Sequence, residues 1–151
     1  MRRLVLTSLL AVALLAVPAQ AEDKQPWATV NVCDTRAHEG EIGIRASMPR
    51  ARGRTRTIRF RVQYRDLSDG RWRYVRDADS GWQRVRRAAE SGWSFEVAGT
   101  GEPILRGVVF YRWARKGAVV RRERRVTEGG HRSTVGADPE DFSAATCRID
   151  A

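Results

Sequence analysis

Ile58-Arg59-Phe60-Arg61-Val62-Gln63-Tyr64-Arg65 alternates apolar and polar residues without a break. Successive side chains of an extended chain point to opposite faces, so Ile58, Phe60, Val62 and Tyr64 form one row. Arg59, Arg61, Gln63 and Arg65 form the other. Helical winding would scatter the same apolar residues around a cylinder. The stretch is therefore a strand with one face for a core and one for solvent.

The same period recurs on both sides of it. Trp27-Ala28-Thr29-Val30-Asn31-Val32-Cys33 is rich in β-branched residues and reads as a first strand. Glu39-Gly40 signals a turn, after which Ile42, Ile44, Ala46 and Met48 alternate with Gly43, Arg45 and Ser47 up to Pro49. Downstream, Asp69-Gly70-Arg71-Trp72, Ser80-Gly81-Trp82 and Ser91-Gly92-Trp93 repeat a turn-plus-tryptophan unit, a spacing that suits a sandwich or barrel. Arg84 to Glu90 is ambiguous between strand and a short helical turn. Trp93, Phe95 and Val97 continue the alternation, so Trp93 is expected to point inward.

Gly99 to Pro103 interrupts, and Ile104 to Trp113 is then almost wholly apolar, as for a strand covered on both faces. Leu105, Val109, Tyr111 and Trp113 take one side. Val108 and Phe110 take the other, between Arg106 and Arg112. Lys116-Gly117 predicts a hairpin into Ala118–Thr127. Glu128 to Asp141 carries Gly129, Gly130, Gly136 and Pro139 and no period, so it reads as a long loop of the functional or mobile kind. Phe142 to Ile149 returns as a final strand. The expected fold is all-β, a two-sheet antiparallel β-sandwich of about seven or eight strands.

The N-terminus predicts export. Arg2 and Arg3 precede an apolar run from Leu4 to Val17, and Ala19-Gln20-Ala21 offers a small-x-small cleavage site. The run falls short of the roughly 18 apolar residues a spanning helix requires, which disfavours an anchor. Residues 1–21 are thus expected to be removed after Ala21, with 22–26 a polar lead and 27–151 one domain in a secreted or extracytoplasmic location. Arg2 and Arg3 would leave with the leader, taking 28 basic residues to 26 against 18 acidic, a formal charge near +8. All but Lys24 and Lys116 of these are arginine. Cys33 and Cys147 are the only cysteines, and in an oxidising compartment a lone pair predicts a disulfide rather than a metal site.

The Phe60–Tyr64 strand, and Val108-Val109-Phe110-Tyr111-Arg112-Trp113 with its hairpin to Val126-Thr127, resemble immunoglobulin-like and fibronectin type III domains. The likeness implies a secreted sandwich over Trp27 to Ile149. Immunoglobulin domains carry their cysteine pair inside the sandwich. Here the pair sits near the chain ends, which implies a clasp between first and last strands.

Catalytic patterns are missing from the sequence. His38 and His131 are the only histidines, and no Gly-x-Ser-x-Gly, His-Glu-x-x-His or phosphate-binding glycine pattern occurs. Asp77-Ala78-Asp79-Ser80-Gly81 looks like the start of a calcium loop, but Glu90 falls out of register and a hairpin turn explains it better. No cofactor or metal is expected. The basic clusters are the functional signal: Arg50, Arg52, Arg54 and Arg56 before the Ile58 strand, Arg84-Val85-Arg86-Arg87, and Arg121, Arg122, Arg124 and Arg125 around Glu123. Guanidinium groups pair bidentately with sulfate and phosphate, so these clusters point to an anionic polymer. On a strand the last four divide between two faces, and Arg59, Arg61 and Arg65 would widen one of them. Trp72 and Trp82, beside turns, are candidates for exposed stacking platforms. The readings are an exported non-enzymatic module that binds a macromolecular partner or contributes to the cell envelope, a polyanion- or glycan-binding module, and, weakest, a hydrolase or calcium-dependent enzyme.

Overall fold

A computed structural model describes residues 25–86, 89–97 and 104–149. The leader, and the Gly99–Pro103 break, lie outside the described residues. Within them the chain is all-β: β1 (Trp27–Thr35), β2 (His38–Ser47), β3 (Thr55–Arg65), β4 (Trp72–Asp79), β5 (Gln83–Val85), β6 (Glu90–Glu96), β7 (Ile104–Arg115), β8 (Ala118–Val126) and β9 (Cys147–Arg148). Nine strands exceed the expected count because β5 has 3 residues and β9 has 2.

Two antiparallel sheets result. One has the order β1-β2-β6, the other β4-β3-β7-β8, with β5 added to β3 and β9 to β7. Pairing of β3 with β7 runs from Thr55 opposite Ala114 to Tyr64 opposite Leu105. It occupies one whole edge of β7, so β8 and β9 share the other edge. Likewise β4 and β5 share the free edge of β3.

The apolar row of β3 does what its period requires. Ile58, Phe60 and Val62 stand beside Tyr111, Val109 and Gly107, and they meet Ile42, Ile44 and Ala46 of the smaller sheet in one core. Tyr111 and Trp113 are buried to their polar tips, which donate to the Trp27 and Pro49 carbonyls at 2.7 and 3.3 Å. Gly107 lies directly beneath Ile44 of the smaller sheet. A Cβ there would sit 2.7 Å from Ile44 Cδ1 and 2.6 Å from Thr127 Cγ2, inside van der Waals contact.

Cys33 of β1 and Cys147 of β9 are disulfide-bonded with Cα atoms 5.4 Å apart, joining the two sheets through first and last strands. The long loop after β8 seals the outer edge of β1. Glu128 N donates to Ala28 O, Asp138 N to Asn31 O, and Val30 and Ala144 exchange both backbone bonds. An edge strand that would otherwise offer unpaired donors is thereby closed.

Several local expectations are corrected. The β1–β2 turn falls at Arg36-Ala37, ahead of Glu39-Gly40, which are inside β2. Ser91-Gly92 is likewise strand rather than turn. The final strand contracts to Cys147–Arg148, because the segment before it is spent on β1. Trp93 is on the core side of β6 opposite Ile44, yet 40% exposed, since β6 is the last strand of its sheet. The Lys116-Gly117 hairpin is present, with φ positive at both residues (49° and 83°).

Candidate functional site

The outer face of the larger sheet follows from its register. One row crosses it as Arg84 (β5), Thr57 (β3), Arg112 (β7) and Arg122 (β8). The next holds Arg59, Phe110 and Arg124; then come Asp79, Arg61, Val108 and Val126, then Tyr74, Gln63 and Arg106, then Trp72 and Arg65. Eight arginines stand on these rows with one carboxylate, Asp79.

Aromatic rings hold three of the guanidinium groups. Arg112 stacks over Trp82 at 3.7 Å from the ring centroid, Arg106 over Trp72 at 4.0 Å, and Arg61 over Tyr74 at 3.8 Å. Stacking engages the flat of a guanidinium and does not itself consume its in-plane N–H groups, so those not already bonded within the protein can meet an anion. Trp72 and Trp82 are therefore half-buried supports for arginines, not bare platforms.

Asp79 neutralises one corner. Arg59 donates to it through Nε at 2.8 Å and through Nη2, and Arg61 Nε lies 3.3 Å away. The hydrogen bond from Arg59 is the main reason its carboxyl is held down at about 2. Gly81 N also donates to Asp79, so this acid ends β4 tied to the residues that follow and to the arginines beside it. At the opposite corner Arg106 donates to Gln63 Oε1 at 2.9 Å. Burial, and then the like charge of Arg124, lower its pKa. Two cations thus repel each other with no acid between them among the described residues.

The expected arginines separate into three groups. Arg122 and Arg124 join the face, exposed. Arg121 and Arg125 point the other way, both paired with Glu123, and Arg121 also covers Trp113. In the first cluster Arg50, Arg52 and Arg54 are exposed ahead of β3. Arg56 is inside that strand and only 5% exposed, donating to Met48 O at 2.7 Å and Arg86 O at 3.1 Å. It ties the ends of β2 and β5 together and does not reach the polymer-sized face.

Arg106 and Arg112 are the members that the sequence reading missed. Their alternation with Val108 and Phe110 gave them a common side, but only the pairing of β3 with β7 sets that side beside Arg59 and Arg61. The histidines are engaged elsewhere. His38 Nδ1 is 3.2 Å from Glu41, and His131 stacks on Trp27 at 4.4 Å. Among the described residues no group of three or more histidine, cysteine or acidic side chains is placed to hold a metal ion. No helix there is long and apolar enough to cross a membrane. No known protein family, curated protein or solved structure matches this chain.

Proposed function

We propose that this protein is an exported, non-enzymatic binding module, and that the outer face of its larger sheet binds an anionic polymer bearing sulfate or phosphate groups. One observation carries the reading: eight arginines on paired rows that hold one carboxylate, three of them pre-oriented by stacking. Side chains along a strand repeat every ~6–7 Å on one face and neighbouring strands lie ~5 Å apart, so the face presents cations as a lattice suited to a repeating charge. The Ala19-Gln20-Ala21 site and the inter-sheet disulfide support export and one domain over residues 27–151. The likeness to immunoglobulin-like and fibronectin type III sandwiches is supported by the strand division, with the first, second and sixth strands facing the third, fourth, seventh and eighth.

β8 itself provides the test. Arg122→Ser with Arg124→Ser and Arg121→Ser with Arg125→Ser each remove two charges from one strand, on opposite faces. Binding of the mature protein to heparin and to polyphosphate is measured across a salt series. Each phosphate contact contributes ~0.7–0.9 to the slope of log K against log salt, so the first variant should lose ~1.4–1.8. The second should keep the wild-type slope. Equal losses in the two variants would reduce the face to a net-charge effect and refute the reading.

A further inference from the structure

Beside the first row of this face, where β3 begins and β5 ends, lies a depression of about 430 Å³ lined by Arg54, Thr55, Arg56, Arg84, Val85 and Arg86. Four of its six lining residues are arginines, and no carboxylate lines it among the described residues. Arg56 is one of the lining residues; its guanidinium donates to two backbone carbonyls and, among the described residues, to no acid. Burial, and the like charge of Arg50, lower the Arg56 pKa. A buried cation without a counter-charge is costly, and three more cations at the rim add to the positive potential.

We propose that this depression is a discrete site for a phosphate monoester, separate from the polymer face although Arg84 borders both. A phosphate monoester brings a charge of about −1.5 to −2 at neutral pH and three acceptor oxygens. It would balance the buried guanidinium and accept paired N–H bonds from the arginines at the rim. A sulfate monoester brings one charge, which leaves most of the excess unmet. The volume is within the range of small-ligand pockets, roughly 300–1,000 Å³, which leaves room for the group that carries the phosphate. The Arg56 lock uses the backbone carbonyl of Arg86, and Arg86 is exposed.

Titration calorimetry of the mature, oxidised protein with methyl phosphate and methyl sulfate at constant ionic strength tests the site. Methyl phosphate should bind saturably at pH 7.5 and weaken severalfold at pH 5, below its second pKa of about 6. Arg84→Ser with Arg86→Ser should weaken it more than about tenfold, the value of one lost charge-assisted bond. Arg122→Ser with Arg124→Ser should leave it unchanged. Tighter binding of glucose 6-phosphate would identify a soluble ester, and tighter binding of phosphatidic acid vesicles a lipid headgroup; either supports the site. Equal binding of methyl sulfate, or unchanged binding in the Arg84/Arg86 variant, overturns it. Heparin binding that persists when methyl phosphate fails sinks this site alone, and the reverse pattern sinks only the polymer face.

Discussion

Replacing Gly107 with alanine should destabilise the sandwich through contacts that can be named in advance. The new methyl would stand 2.6 Å from Thr127 Cγ2, 2.7 Å from Ile44 Cδ1 and 2.9 Å from Ile44 Cγ1, against a normal carbon separation of ~3.5–4.0 Å. Thr127 resists rotation, because its hydroxyl accepts from Gly107 N at 3.0 Å and donates to Ala145 O at 2.6 Å. Ile44 is β-branched, fully buried and stiff at χ1. Overpacking of this kind costs ~1–3 kcal/mol, and a strand glycine exchanged for alanine returns ~0.5–1 kcal/mol, so a net loss of about 1–2 kcal/mol is expected. Ile44→Val removes the Cδ1 methyl at 2.7 Å and alone should cost ~0.5–1.5 kcal/mol. Combined with Gly107→Ala it should cost less than the sum, with a coupling of at least ~0.5 kcal/mol. Urea unfolding followed by tryptophan fluorescence gives all four corners of the cycle, provided that the slope is constant. Strict additivity, or a Gly107→Ala variant as stable as wild type, would show that the sheets do not meet at this point.

Two further predictions concern the clasp and the acid of the face. Cys33→Ala with Cys147→Ala should lower unfolding free energy by up to about 4–5 kcal/mol, since a bridge spanning 114 positions strongly restricts the unfolded chain. An unchanged urea midpoint would count against a structural clasp. Asp79 has its folded pKa depressed to about 2, so its contribution is complete above the ordinary carboxylate value and is lost as pH falls from about 3.8 toward 2. Its side chain is 24% exposed, and screening keeps the effect to ~1–2 kcal/mol. The gap in stability between wild type and Asp79→Asn should close over that window, and a gap independent of pH would contradict the ion pair. The same variant frees Arg59 and Arg61 and should tighten heparin binding.

What was legible in the sequence, and what was not, divides along one physical line. Alternation is local, so the Phe60 and Tyr111 strands could be read from neighbouring residues alone. The hairpin at Lys116-Gly117 is equally local. The pairing of Arg61 with Val108, or Thr57 with Arg112, spans some fifty positions and leaves no trace in either strand. Arg106 and Arg112 therefore read only as flanks of Val108 and Phe110, and it is the pairing with β3 that makes them part of a basic face. Gly92 misled for a related reason. It resembles a turn glycine, but in β6 it makes room for Arg45, whose Nη1 lies 2.9 Å from where a Cβ would be. The long loop carries no period because it docks on β1 largely through backbone groups, joined by side chains such as Ser143 on Thr29 and His131 on Trp27 that follow no repeat.

The same line explains why the arginine clusters were only half informative. Runs of basic residues were visible as runs, yet a strand distributes each run over two faces, and the faces differ in fate. Toward the core side, Arg121 and Arg125 meet Glu123, and Arg121 covers the Trp113 ring; Arg56 is absorbed as a tie between strand ends. Toward solvent, Arg122 and Arg124 join arginines drawn from β3, β5 and β7. A chain rich in arginine through codon bias alone would have no reason to set eight on paired rows that hold a single carboxylate. Nor would it place three of them over rings that fix their planes. Cation–π stacking secures about 0.5–1 kcal/mol at exposed sites, too little to select for stability and sufficient to hold a guanidinium ready for a ligand. Binding of heparin by the Arg121/Arg125 variant at wild-type strength, beside its loss in the Arg122/Arg124 variant, is the result this arrangement requires.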